Sequence, residues 1–185
     1  MAPWFAISRS EVGKNGRVDL IRCFGCGGLF PKIEGPTHRY MASSTGCWAT
    51  YGEVLARQYT NANYAGAGQL TIDAYAVQHP GRPSAQSIQS VALHLISLCL
   101  LLERGVELGT ATEGISAAAK DKRRFAWLAP PETMGPITVA NVHAARTAAE
   151  HVAIVRSWAS SAWSAWAAHH VTVRDGWRSS GVACV

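Results

Sequence analysis

Apolar residues recur at helical spacing through most of this chain, and one stretch shows the pattern most clearly. Ser84, a residue type that commonly caps the start of a helix, is followed by apolar side chains at alternating steps of three and four. They are Ile88, Val91, Leu95, Leu98 and Leu102. This spacing predicts a helix that ends near Glu103. Since Leu93, Ile96 and Leu100 occupy its other sides, we expect this helix at the centre of the fold.

The same periodicity predicts further helices on either side of this central one. Their predicted ranges are 48–59, 68–79, about 115–125 and 138 to about 171. Strand patterns are limited to short pieces around Leu20 to Phe24 and Leu29 to Phe30, which are able to pair with each other. The sequence therefore predicts an all-α fold, a helical bundle of about four to five helices with a small N-terminal zinc knuckle. We expect a single domain over 1–185, with the knuckle at about 20–48 and the helical body at about 48–172.

The predicted knuckle carries the most specific chemistry in the sequence. Cys23, Cys26, His38 and Cys47 follow the spacing C-x2-C-x11-H-x8-C, and glycines surround the first pair, which permits a tight turn under a metal ion. Three thiolates and one imidazole complete a tetrahedral zinc site with no open position for water or substrate. We therefore predict zinc as the cofactor, in a structural rather than a catalytic role.

Reactive groups must then come from the helices, where histidines and one tyrosine are suitably spaced. Tyr75 and His79 share a face of the second helix, and His94 lies at the flank of the central helix. With His169 or His170 closing the group, these side chains are our candidates for acid–base catalysis or for a second, open metal site. The alternative is structural: Tyr75 packs in the core, His79 ends its helix, and His94 is a core histidine with a hydrogen-bond partner.

Three tryptophans near the C-terminus, Trp158, Trp163 and Trp166, either pack in the core or wall an apolar ligand cavity. From these residues we predict an enzyme that acts on a small organic molecule, as in specialised metabolism, through a pocket lined by His and Tyr and walled by Trp. The alternative is a noncatalytic, zinc-stabilised regulatory module that binds protein or nucleic acid.

The net charge of the chain and the length of its apolar stretches indicate which kinds of partner to expect. The net charge of +5 includes one basic cluster, Lys120 to Arg124, but Asp121 interrupts it. A solvated loop is therefore a better interpretation of the cluster than a nucleic-acid site. The longest apolar stretch, Val91 to Leu102, is far shorter than the roughly 20 residues of a membrane span, and the start of the chain lacks a secretory pattern. We expect a cytoplasmic protein with a small-molecule substrate, no membrane partner and no nucleic acid.

Several motifs resemble an uncharacterised bacterial family that is defined only as a domain of unknown function. They are C-F-G-C-G-G-L-F-P at 23–31, E-G-P-T-H-R-Y at 34–40, G-C-W at 46–48, Y-G-E-V-L-A-R at 51–57 and D-A-Y-A-V-Q-H-P-G at 73–81. The resemblance continues through 87–95 and, more loosely, through 151–159 and 166–174. It covers most of the chain and supports a single folding unit, and it implies no particular reaction.

Overall fold

The computed structural model describes residues 18–120 and 125–178, and within them the chain is mostly helical, as predicted. The helices are α1 (Thr45–Thr60), α2 (Gly68–Gln78), α3 (Ala85–Leu98), α4 (Leu108–Ala119), α5 (Val139–His143), α6 (Ala148–Ala165) and α7 (His170–Arg178). Short 3-10 turns cover Ala62–Tyr64 and Ala167–His169, and a π-helical turn over Cys99–Glu103 extends α3.

A small antiparallel hairpin precedes the helices. Strand β1 (Leu20–Arg22) pairs with β2 (Leu29–Pro31), and Ile21 lies opposite Phe30 at the centre of the ladder. Phe30 is only 1% exposed, so this central pair faces the helical body. Because side chains alternate along a strand, the flanking positions Leu20 and Leu29 face outward, and both are more than half exposed.

Helix α3 lies in the core, as its apolar pattern predicts. Ser84 caps it by accepting a hydrogen bond from the backbone N–H of Ser87 at 3.1 Å. The helix packs against α2, α4, α6 and α7. By length and composition alone, Ala85–Glu103 could cross a membrane, but half of this window is buried inside the fold, as in the core helix of a soluble protein.

The C-terminal helix is divided, whereas the periodicity predicts one helix from 138 to about 171. Helix α5 ends at His143, and Thr147 starts α6 by accepting a hydrogen bond from Glu150 N–H at 3.1 Å. At the other end, the backbone of Trp166 leaves the helical region. The breaks in the predicted helix therefore lie at these caps.

The region after α3 also departs from its prediction. Helix α4 begins at Leu108 and ends at Ala119, whereas the predicted range was about 115–125. Its N-cap position is Glu107, which closely follows the left-handed turn at Gly105, so the helix starts earlier than predicted. Of the basic cluster Lys120 to Arg124, residues 121–124 lie outside the described residues.

The three tryptophans of the predicted cavity wall are core residues tied to the helices beneath them. Trp158 is fully buried and donates its indole N–H to Gln78 Oε1 at 2.8 Å. Trp166 is 1% exposed and donates to the carbonyl of Val77 at 3.1 Å. Buried indoles usually find such acceptors, so these side chains join α6 to α2 and do not wall a cavity. Trp163, the third, donates to Glu103.

Candidate metal centre

Four buried side chains meet between the hairpin and the first two helices. The Sγ atoms of Cys23, Cys26 and Cys47 and a ring nitrogen of His79 all lie within 4.8 Å of one another. His79 Nε2 is 3.5 Å from Cys23 Sγ and 3.4 Å from Cys47 Sγ, and the two sulfurs of Cys26 and Cys47 are 3.9 Å apart.

These distances match the edges of a coordination tetrahedron. With metal–sulfur bonds of about 2.3 Å and metal–nitrogen bonds of about 2.0–2.1 Å, the edges are roughly 3.8 Å between sulfurs and roughly 3.6 Å between sulfur and nitrogen. The donor set therefore fits a tetrahedral zinc ion in both composition and spacing. All four residues are at most 7% exposed, so the cluster is largely shielded from bulk water, with Cys26 the most exposed of its members.

The four side chains of the cluster come from three local structures. Cys23 and Cys26 flank a tight turn that is closed by a hydrogen bond from Gly27 N–H to the Cys23 carbonyl at 3.1 Å. Gly27 has φ of +72°, a conformation that glycine adopts without steric cost. Cys47 lies in the first turn of α1, where its N–H donates to the Ser44 cap at 3.3 Å. His79 follows the last residue of α2 as its C-cap.

Gly25 allows the turn to approach α2 closely. A Cβ at this position would lie 2.5 Å from His79 Cδ2 and 2.8 Å from the Gln78 carbonyl oxygen. Such contacts are far below van der Waals distance, so only glycine fits between the knuckle and the end of α2 without a backbone shift.

A surrounding set of hydrogen bonds orients the ligands. The imidazole of His79 donates Nδ1–H to the Tyr75 carbonyl at 2.7 Å, which assigns the tautomer and leaves Nε2 to face the sulfurs. Ser44 N–H donates to Cys23 Sγ at 3.4 Å, and the Tyr75 hydroxyl lies 3.6 Å from Cys47 Sγ. Burial raises the pKa of Tyr75, so its phenol stays protonated and is able to donate to a thiolate.

The electrostatics of the cluster favour a bound cation. Hydrogen bonds with Cys23 and Cys26, together with burial, raise the pKa of the Cys47 thiol. Three thiolates in a buried space repel one another, and a divalent cation bound between them offsets this repulsion. Thiols that coordinate such a cation are deprotonated outright. The donor chemistry therefore agrees with the geometry.

The fourth member of the cluster is His79, whereas the sequence spacing pointed to His38. His38 lies outside the cluster: its ring is 4.4 Å from that of Tyr40 and 5.1 Å from that of Trp48, measured between centroids. Burial lowers its pKa. The prediction took the histidine nearest to the cysteines in sequence, but α2 runs back toward the knuckle and brings in a histidine that follows Cys47 by 32 residues.

The predicted reactive residues do not form one site. The structure places them in several separate environments: Tyr75, His79, His94, His169 and His170. The rings of Tyr75 and His79 stack at 4.0 Å; His79 belongs to the cysteine–histidine cluster, and Tyr75 lies beside it and is fully buried. The ring nitrogen of His169 lies 2.8 Å from the carbonyl oxygen of Ala129. His170 stacks on Trp163 at 3.8 Å, and its Nε2 is 3.0 Å from that residue's carbonyl oxygen.

His94 has a different and more informative partner, Asp73. Nδ1 of His94 is 2.7 Å from Asp73 Oδ1, and the carboxylate is fully buried between α2 and α3. Gln69 and Ser97 donate to the same carboxylate, at 2.8 Å and 2.5 Å. Sequence reasoning missed Asp73 as a partner because it lies off the Tyr75–His79 face. The available signal was that Asp73 is the one acidic residue of this largely buried helix, since a buried carboxylate needs a partner.

Comparison with known proteins places these features within a family. No curated protein and no solved structure gave a significant match to this chain. The model of a family of unknown function, DUF5946, matches residues 21–167, a range that contains all four residues of the cluster and the Asp73–His94 pair. The chain belongs to this family of unknown function, DUF5946.

Proposed function

We propose that the chain binds one zinc ion through Cys23, Cys26, Cys47 and His79, and that this ion has a structural role. The support is the donor set itself, since three thiolates and one imidazole fill a tetrahedron and leave no position for a substrate. A bound zinc ion would keep the three thiols deprotonated. The four side chains would then cross-link the knuckle turn to the start of α1 and the end of α2.

The biochemical role that fits such a site is that of a cytoplasmic, noncatalytic binding module for a protein partner. The observation that carries this proposal is the outward face of the hairpin. The described residues include seven large apolar side chains that are clearly exposed, and four of them lie on the knuckle or directly before it. These four are Val18, Leu20, Phe24 and Leu29, with exposures of 50%, 55%, 76% and 54%.

The size of this apolar face indicates the kind of partner. Each strand has three residues and is about 10 Å long, so the paired part of the hairpin is short. A stable dimer of globular proteins buries about 800 Å² per partner, more than four side chains supply. A short apolar segment of another protein is the better fit. Reduced thiols and bound zinc also agree with a cytoplasmic location, where thiols are kept reduced.

Selection from a displayed peptide library tests this role. We expect the zinc-loaded protein to enrich apolar peptides whose binding is lost in Leu20→Asp and Phe24→Asp. A matched control is Leu108→Asp, since Leu108 is an exposed apolar residue (44%) on α4, away from the hairpin. Peptides that bind Leu20→Asp as well as the wild type would contradict the proposal, as would binding that survives complete removal of zinc.

A second candidate, an enzyme acting on a small organic molecule, is favoured by the Asp73–His94 pair. A buried carboxylate that holds Nδ1 of a histidine presents Nε2 as an acid–base group, and the His94 side chain is 24% exposed. A ligand screen by thermal shift, followed by turnover assays on the hits, tests it. We expect His94→Gln to abolish turnover and His143→Gln, in a surface pair with Glu53 at 2.7 Å, to preserve it. Turnover that survives in His94→Gln would exclude this candidate.

A further inference from the structure

We propose that Cys26 is an alkyl-acceptor site, at which the metal-bound thiolate reacts with small uncharged carbon electrophiles. This inference rests on the zinc site proposed above and adds a chemical activity to it. The structural observation that supports this inference is a groove beside the cluster. Cys26 contributes to the wall of this groove, whose volume is about 390 Å³.

Cys26 is the most accessible of the four described cysteines. It is 7% exposed, compared with 2% for Cys23 and 0% for both Cys47 and Cys99. Its neighbours Gly25, Gly27 and Gly28 also line the groove, and they carry no side chains that would cover the turn. A reagent that enters the groove therefore meets Cys26 before the other ligands.

The opposite wall of the groove indicates which reagents it suits. This wall is formed by Glu132 to Pro136 and Thr138. The groove contains one cation, Arg22, and one anion, Glu132, together with the apolar side chains of Met134 and Pro136. These charges offset each other, and the volume is near the lower end for small-molecule sites, about 300–1,000 Å³. A small, uncharged, partly apolar molecule is the class that matches.

The chemistry follows from the state of the sulfur. A thiolate, and not a thiol, is the nucleophile in alkylation, and a metal-bound cysteine is held in that state. The Cys26 sulfur forms a bond to the electrophilic carbon, and the bond between that carbon and its leaving group breaks. The leaving group departs with the electron pair as an anion, and Cys26 becomes a thioether. No oxidant, reductant or proton donor is required.

Residue-resolved alkylation with iodoacetamide tests the proposal. The parent carries Cys184→Ser, because Cys184 lies outside the described residues, and its zinc content is measured before labelling. Peptide mass spectrometry during the reaction should place the first equivalent on Cys26, at least about tenfold faster than on Cys23, Cys47 or Cys99. Equal rates at the three cluster cysteines, or faster reaction at Cys99, would overturn it.

A groove variant provides a second readout with a matched control. Thr133→Trp places a large side chain at an exposed position of the groove wall, and Thr112→Trp makes the same change at an exposed position of α4. We expect Thr133→Trp to slow Cys26 labelling several-fold with unchanged zinc content, and Thr112→Trp to match the parent. Equal labelling in both variants would refute access through the groove.

The zinc measurement separates the two proposals. One zinc ion per chain with slow or unselective Cys26 labelling would overturn this inference and leave the zinc site intact. A purified chain that binds no zinc would remove the zinc site and, with it, the activation of Cys26.

Discussion

The buried carboxylate of Asp73 gives the most quantitative prediction about this fold. Asp73 is fully buried and accepts hydrogen bonds from Gln69 on its own helix and from His94 and Ser97 on α3. The pair of helices is therefore joined through one acidic side chain. Removing a donor leaves part of that charge unsatisfied, and the cost depends on which donor is removed.

The two α3 donors should differ in effect. Ser97→Ala removes one hydrogen bond to a charged group, which costs about 1.5–3 kcal/mol of unfolding free energy. His94→Ala removes the hydrogen bond from Nδ1 and leaves a fully buried carboxylate without its partner on that side, and removing one member of a buried pair costs about 3–5 kcal/mol. Because the His94 side chain is 24% exposed, we expect a value near the lower end of that range.

Urea unfolding followed by circular dichroism, with zinc held constant, measures these differences. His143→Ala is the control, because its partner Glu53 is 60% exposed and such surface pairs contribute about 0–1 kcal/mol. We expect His94→Ala to be clearly less stable than His143→Ala at the same urea dependence. If the two variants lose the same unfolding free energy, the Asp73 carboxylate does not join α2 to α3.

Three further predictions concern the knuckle, the core and the last helix. Gly25→Ala should weaken zinc binding by about 10–100-fold, because the added Cβ would displace His79. Competition with a chelator measures this affinity, and an affinity equal to that of wild type would contradict the packing of Gly25 against His79. Trp158→Phe should cost about 1–3 kcal/mol in urea unfolding, since it leaves Gln78 Oε1 without its buried donor, and no loss would show that the bond is dispensable. The hydrogen bonds and charge of Arg174 lower the pKa of Glu103 from 4.5 to about 2. The stabilisation from the Arg174–Glu103 ion pair is thus present above pH 4.5 and is lost as the pH falls toward 2. The unfolding free energies of wild type and Arg174→Gln should therefore converge over that range. A difference that stays constant with pH would argue against the ion pair.

The sequence predicts the helical class and the central helix because both depend on local periodicity. Helix α3 presents apolar residues on nearly every side, and no neighbouring element has to be known to see that such a helix is buried. The Cys23–Cys26 turn is equally local, because two cysteines and their glycines fit one tight structure.

The fourth member of the cluster and the divided C-terminal helix could not be predicted in the same way. His79 reaches the cluster only because α2 runs back past the knuckle, which is a property of the tertiary fold. The choice of His38 relied on short spacing instead. In the C-terminal region, the apolar periodicity continues across the break. The helix nevertheless restarts at Thr147, whose side chain accepts one hydrogen bond from the Glu150 N–H. The role of Asp73 was missed for a related reason, since two of its three hydrogen-bond partners, His94 and Ser97, lie on α3.

Cobalt substitution is the most direct test of the central claim, that Cys23, Cys26, Cys47 and His79 hold one metal ion. Cobalt(II) reports its ligands through thiolate charge-transfer bands and through the intensity of its d–d bands. The account predicts one tetrahedral cobalt per chain with three thiolates and one nitrogen, a spectrum unchanged in His38→Ala, and a spectrum altered or lost in His79→Ala. The opposite pattern, with His38→Ala altering the spectrum and His79→Ala preserving it, would contradict the account.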